Sequence, residues 1–262
     1  MAELKPPLIV DKSFANKRTG SLSKLTDHFT LIVPSAFYYE VFTTAPKNRV
    51  RELNNFPNFR RIHIPSVQRL ELETGEPASS FEARELSFNP EVVSESWRLR
   101  FEDDALIQKY RAASIDPALD FWQKVPTAKA VPGFSAQELA ATCGSDNDFV
   151  RLCELVRHEK RIQRLAKEIE WVHAEKLDTR WIHYRLFQTW ALQGLILLRR
   201  YRNPGDAISE ERLEHDVHDI EYLMLGLHAG ALATAEISTK LAKASMSWRF
   251  RILEPAGRLI TS

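Results

Sequence analysis

Carboxylates stand in this 262-residue chain at places from which a parallel sheet could gather them. The stretch DVHDIEYLMLGLHAGALATAE opens with Asp216 and Asp219, a helical step apart, and closes on Glu236 behind a run of small apolar residues. Asp11 ends the apolar run PLIVD, and Glu40 lies inside AFYYEVF, just after TLIVP. Acids just beyond the carboxyl ends of parallel strands can converge on one crevice. Asp11, Glu40, Asp219 and Glu236 brought together there would repel one another unless a divalent cation bound among them, and Asp216 shares the helix face of Asp219. Oxygen-only ligands suit Mg²⁺ or Mn²⁺ rather than zinc.

The elements that must position these acids are legible as patterns. PLIVD, TLIVP and RRIHIPSV are aliphatic, β-branched runs that read as buried strands. Between them LSKLTDHF places Leu22, Leu25 and Phe29 at helical spacing, Ser35 can cap AFYYEVF, and NRVRELNNF reads as a further helix. Strands alternating with helices predict a parallel sheet covered on both faces. From 68 to 204 the pattern is helical, through SWRLRFEDDALIQKYRAAS, DNDFVRLCELVRHEKRIQRLAKEIEWVHAEKL and TRWIHYRLFQTWALQGLILLRRYR, with TGEPASS and TAKAVPGFSAQ as loops. The α/β pattern then returns, with a helix around Asp219 to Leu227, a strand AGALATA, a helix STKLAKAS and a strand WRFRIL. The expected organisation is an α/β unit of residues 1–67 and 205–262, split by a helical insertion or cap of residues 68–204.

Composition sets the outer bounds. Hydrophobic content of 44% with 27% charged residues is that of a globular chain with a sizeable core. A net charge of +1 supplies no overall field, so nucleic acid or an anionic surface would have to be met by a local patch. Cys143 and Cys153 are too few for a disulfide framework or a zinc site. MAELKPPLIVDK lacks the apolar core of a signal peptide, and WALQGLILL is too short to span a bilayer, so a cytoplasmic location without membrane contact is expected.

Taken together, LIVDKSF, LIVPSAFYYEVF and HDVHDIEYLMLGLHAGALATAE resemble, in order, the first, second and last acidic motifs of PIN-like domain nucleases. The resemblance covers about Leu8 to Val67 and Glu210 to Leu253 and leaves out the helical middle. It implies a three-layer α/β/α PIN-like domain with a central parallel sheet, here carrying a large helical insertion. It also implies an endoribonuclease dependent on Mg²⁺ or Mn²⁺, with a toxin, defence or RNA-processing role. RNA stands ahead of DNA as substrate, and a second copy or an inhibitory protein is a conceivable partner. Residue by residue, the family's strand-one Asp falls on Asp11, its helix Glu on Glu40 and its third acid on Asp219, with Asp216 as helper. Ser13 matches a position often held by a small hydroxyl residue. The fourth acid is Glu236, within Thr234-Ala235-Glu236, where the family commonly has Asp. An ion held by Asp11, Asp219 and Glu236, with Glu40 completing the set, would acidify a bound water and stabilise the charge that develops on a phosphodiester.

The same residues carry plainer readings. Asp11 can be an N-cap, and Asp216 and Asp219 can be favourable charges in a first helical turn. Glu236 can be a solvated loop acid. Glu40, among Phe37, Tyr38, Tyr39, Val41 and Phe42, is harder to set aside, because burying a lone carboxylate is costly. Arg157, Lys160, Arg161, Arg164 and Lys167 form a basic stripe opposite Leu155, Ile162, Leu165, Ala166 and Ile169; it can meet phosphates or be an ordinary outer face. Arg151 and His158, in RLCELVRH, match the loose spacing of HEPN-type ribonucleases, which need no metal. The alternative function is a catalytically silent PIN-like fold whose insertion recognises nucleic acid or a protein.

Overall fold

The computed structural model describes residues 5–17, 25–43, 61–64, 73–77, 105, 107–108, 111–143, 149–200, 209–235, 248, 251–253 and 259–260. Strands β1 (Pro7–Val10), β2 (Thr30–Pro34), β3 (Arg61–Ile64), β4 (Ala231–Ala233), β5 (Arg251–Leu253) and β6 (Leu259–Ile260) form a 6-stranded sheet of order β3-β2-β1-β4-β5-β6. Parallel pairings join β3, β2, β1, β4 and β5, and β6 closes the edge antiparallel to β5. Ile9 lies opposite Ile32 on one side and Leu232 on the other. Leu8, Ile9 and Val10 are all buried, as a strand covered on both faces requires. The expected α/β class is therefore observed. The antiparallel strand β6 had no counterpart in the sequence pattern, because Leu259 and Ile260 are too short a run to register.

The described helices are α1 (Lys12–Lys17), α2 (Ser35–Thr43), α3 (Asp116–Ala128), α4 (Ala136–Cys143), α5 (Phe149–Arg157), α6 (Glu159–Glu168), α7 (Ile182–Arg200) and α8 (Glu210–Ala229). A π-helical turn, Arg111–Ile115, leads into α3. One apolar core takes in Ile9 of β1, Leu225 of α8, Trp122 of α3 and Leu195 of α7. The Trp248 indole donates to the Cys153 carbonyl at 3.0 Å, tying the C-terminal segment to α5. Glu73, with its carboxylate buried, accepts from the amides of Ile182 at 2.6 Å and His183 at 2.9 Å. An anion thus answers the exposed N–H groups that begin α7.

Two helix boundaries differ from the sequence expectation. α8 does not open near Asp219; it begins at Glu210, capped by the Ser209 side chain, and places Asp219 mid-helix. Ser209 followed by Glu210 and Glu211 is an N-terminal signature that the apolar pattern further on masked. The helix expected through Arg157 to Glu170 is broken at an extended His158 and stops at Glu168. The break is tolerated because α7 satisfies the last carbonyls of α5: the Tyr184 hydroxyl donates to Arg157 O at 3.1 Å and the Gln188 amide to Val156 O at 3.2 Å. At the far end Glu170 turns left-handed at φ 58, and Trp171 N bonds back to Ala166 O at 2.8 Å, closing a Schellman motif. The helices expected over NRVRELNNF and STKLAKAS lie outside the described residues, as does most of SWRLRFEDDALIQKYRAAS.

The turn before α4 depends on a glycine. Gly133 sits at φ +85, and a Cβ there would stand 2.8 Å from Leu165 Cβ and 2.9 Å from Arg161 O. Helix α6 clamps this turn at both polar ends: Glu168 accepts from Gly133 N at 2.6 Å, and Arg164 donates to Gly133 O at 2.7 Å. Gly133→Ala combines left-handed strain with overpacking and is expected to cost about 2–4 kcal/mol. Urea unfolding measures it; a loss under about 1 kcal/mol would show that α6 can back away from the turn.

Candidate functional site

The strand order reverses between β1 and β4, since β2 and β3 extend the sheet to one side and β5 to the other. Such a switch point leaves a crevice beyond the carboxyl ends of the strands. Asp11 follows β1 and Thr234 follows β4, and Asp11 N donates to Ala233 O at 2.9 Å, carrying the ladder one residue past the strands. The Asp11 carboxylate gathers the local donors: Oδ1 accepts from Ser13 N at 3.0 Å, and Oδ2 accepts from the hydroxyls of Ser13 at 2.6 Å and Thr234 at 2.5 Å. Ser13 Oγ in turn accepts from Ala235 N at 3.1 Å. The two hydroxyl oxygens lie 3.3 Å apart, both protons being directed to Asp11. Asp11 is thus the N-cap of α1 and also a carboxylate at the switch point. A carboxylate offers about four acceptor positions, and these donors fill all but one, which lies on Oδ1.

Glu40, half-buried on α2, accepts at Oε2 from the Tyr222 hydroxyl of α8 at 2.8 Å. The Lys12 ammonium donates to the Glu40 carbonyl at 3.2 Å. Burial, and then the fields of Glu40 and Asp11, push the Tyr222 phenol well above its ordinary value, so it stays a donor. Of the two acids, it is Glu40 that Tyr222 contacts directly.

A second tie between α2 and α8 runs the opposite way. The Tyr39 hydroxyl donates to Glu214 Oε1 at 2.7 Å, and Arg111 binds Glu214 at 2.5 Å, Glu210 at 2.9 Å and Asp116 at 3.2 Å. Burial, aided by the bond to Glu214, pushes the Tyr39 phenol up to about 12. Glu221, 6% exposed, accepts from Ala36 N at 3.0 Å, so an anion caps the first turn of α2. His218 packs against Tyr39 with ring centroids 5.0 Å apart; burial pushes it down to about 4, leaving it neutral near pH 7.

Among the described residues, neither Asp216 nor Asp219 forms a metal-holding group with Asp11 and Glu40. Asp216 faces α7, accepting from the Gln193 amide at 2.6 Å with Arg200 at 3.9 Å. Asp219 is exposed, one helical turn before Tyr222, and Glu236 lies outside the described residues. Among the described residues, no group of three or more His, Cys, Asp or Glu is placed to hold a metal ion. No family model, curated protein or solved structure matches this chain.

The basic stripe is largely matched by acids. Arg161 and Arg164 bind Glu138 of α4 at 2.9 Å and 3.0 Å, Lys167 pairs with Glu175 at 3.1 Å, and Arg157 lies 3.8 Å from Glu154. Lys160 is exposed. Arg151 and His158 are exposed too, but on α5 and in the extended link after it, so they do not share a helix. The Cys153 thiol is pushed up to about 12 by burial and is a packing group. Among the described residues no helix is long and apolar enough to cross a membrane.

Several positioning residues escaped the sequence reading. Glu221, an acid inside the apolar run IEYLML, was the available signal for a buried carboxylate. Arg111 offered none, since its partners Glu210 and Glu214 are remote in sequence.

Glu138 anchors the stripe through a capping box, accepting from Ser135 N at 2.8 Å while Ser135 Oγ accepts from Glu138 N at 3.3 Å. The Ser135 amide and hydroxyl, with Arg161, hold its carboxyl at about 2 against an ordinary 4.5. Its folded value being depressed, its stabilisation is complete above the unfolded value and disappears as the pH falls from about 4.5 to about 2. Glu138→Gln is expected to flatten the acid limb of urea stability in that window; an unchanged limb would mean that other carboxylates set it.

Proposed function

We propose that this chain is a divalent-metal-dependent endoribonuclease with a PIN-like acid site centred on Asp11. The observation that carries the reading is the Asp11 carboxylate at the β1/β4 switch point, held by Ser13 and Thr234. The donor set fits Mg²⁺ or Mn²⁺ in a particular way. Mg²⁺ commonly keeps several waters and is bound through one or two carboxylates together with substrate phosphates, rather than in an all-protein cage. Asp11, with an acceptor position left on Oδ1, and Glu40 are the described residues that would hold it. Asp219 stands further out, toward the solvent from which a phosphate backbone arrives. Once bound, the ion supplies a water acidified toward hydroxide and a Lewis acid for the phosphoryl oxygen.

The chain's own residues do the preparatory work. Ser13 and Thr234 fix the plane of the Asp11 carboxylate through their two hydroxyl bonds to Oδ2. Tyr222 holds Glu40, and the Lys12 ammonium adds positive charge beside the acids. RNA is put ahead of DNA as the substrate, and a toxin or defence role rests on the family resemblance alone.

A second reading is a silent fold used for binding, favoured by the completeness of Asp11 as a helix cap and by the lack of a three-acid cluster among the described residues. Cleavage of single- and double-stranded RNA and DNA, with Mg²⁺, Mn²⁺ or EDTA, separates the two. Asp11→Asn still caps α1 through one oxygen. It is expected to lower metal-dependent RNA cleavage at least about 100-fold, since even an outer partner of a metal ligand is worth about 10–100-fold. Cleavage that survives both EDTA and Asp11→Asn would move the chemistry to a metal-free site. No cleavage, together with no rise in melting temperature on adding Mn²⁺, would leave the binding module.

A further inference from the structure

Arg161 and Arg164 end on Glu138, Arg180 on Asp178 and Arg111 on Glu214. Arg185 of α7 departs from this pattern. Its Nη1 donates to the neutral Gln188 Oε1 at 3.0 Å, and among the described residues no carboxylate pairs with it. Its Nε is buried and has no acceptor. The side chain as a whole is half-buried, so with Nη1 taken and Nε enclosed, Nη2 is the corner of the fork left for an incoming group. A guanidinium keeps its proton inside a protein, so burial here sets a positive charge in place without a counter-charge. Burial draws it below its ordinary value, against a smaller opposing pull from Tyr184. A buried donor left unsatisfied in this way calls for a partner.

The guanidinium is held from two sides. Gln188, 1% exposed, donates its amide to Val156 O of α5 at 3.2 Å and presents its Oε1 to Arg185. The Tyr184 ring centroid lies 5.4 Å from the Arg185 Cζ. The Tyr184 hydroxyl donates to Arg157 O at 3.1 Å, and its phenol feels the charges of both Arg185 and Arg157. Glu159, the acid that acts on the same phenol, accepts from Gln163 at 3.2 Å. A planar fork fixed in place with an open edge suits an oxyanion that accepts through two oxygens. We propose that Arg185, with Arg157 beside it, is a phosphate-binding site where α5 meets α7, taking either a phosphate of RNA or free inorganic phosphate. A phosphate carries enough charge to answer both arginines, where a single carboxylate answers one. Its second oxygen gives the buried Nε the acceptor that no described residue supplies. The site needs no divalent cation and stands apart from the reading centred on Asp11.

The test uses the full chain in EDTA, so that no metal chemistry enters. Melting temperature is followed against inorganic phosphate, with chloride holding the ionic strength constant, and binding of a single-stranded RNA is followed against salt. Wild type is expected to gain stability with phosphate, by mass action on the folded state, and Arg185→Gln to lose that gain. Lys124→Gln removes one positive charge from an exposed place on α3 and is expected to keep it. Where RNA is the source of the phosphate, Arg185→Gln also weakens RNA binding and lowers its salt slope by about one. Where free phosphate is the ligand, RNA binding is unchanged while the stabilisation is lost. Arg185→Gln matching wild type in both readouts overturns the proposal, as does a wild type that neither phosphate nor RNA engages. A gain lost equally in Lys124→Gln overturns it too, since net charge would then be the cause. Should Arg185→Gln not fold, the Arg185 Nε–Hε resonance of ¹⁵N-labelled wild type must shift to saturation on adding phosphate or RNA. A resonance unmoved by both overturns the proposal.

Discussion

Two hydroxyls donating to one oxygen of Asp11 join β1 to β4 where the sheet reverses direction. Hydrogen bonds to a charged acceptor contribute about 1.5–3 kcal/mol each, against about 0–1 for an exposed ion pair such as Lys124–Asp120. That difference ranks the Asp11 network above the surface pairs as an organising interaction. It also joins distant parts of the chain, Ser13 and Thr234 being brought to one carboxylate from opposite ends of the sequence. The start of α1 and the junction of β1 with β4 thus meet at this one carboxylate.

Around it, α8 serves as the spine. It packs on β1 and β4 with one face and on α3 and α7 with another, so the helical middle of the chain and the sheet share a core. Its polar residues are turned inward in a definite order: Glu214 to Tyr39 and Arg111, Glu221 to the first turn of α2, and Tyr222 to Glu40. Buried polar groups of this kind are tolerable only when each finds its partner. Arg111 matters because it comes from the helical middle and contacts both helices of the frame. Docking of that region and the placement of the acids are thereby mechanically linked.

How much was legible in the sequence varied with the range of the physics. β2 was readable to the residue, because Thr30–Pro34 is an uninterrupted aliphatic strand ended by proline and followed at once by a helix. The parallel α/β class was readable from alternation. Asp11 was readable twice, as a cap and as an acid just beyond a strand, and the structure has it accept from Ser13 N while it follows β1 at the switch point. Asp216 and Asp219 share a helix face by spacing alone, yet Gln193 and Arg200 of α7 draw one toward the interior while the other stays in solvent. Tertiary partners chose between them, which no local pattern encodes. The partners of the basic stripe were hidden for the same reason: Glu138, on another helix, pairs with Arg161 and Arg164.

The most direct test of the central claim, that Asp11 is a cation ligand and not merely a helix cap, is anomalous scattering from crystals grown with Mn²⁺. The account predicts a peak within coordination distance of Asp11 Oδ1, with Glu40 as its neighbour. A clean map without a peak at Asp11, from crystals saturated with Mn²⁺, would contradict it and leave the carboxylate as the cap and strand tie alone.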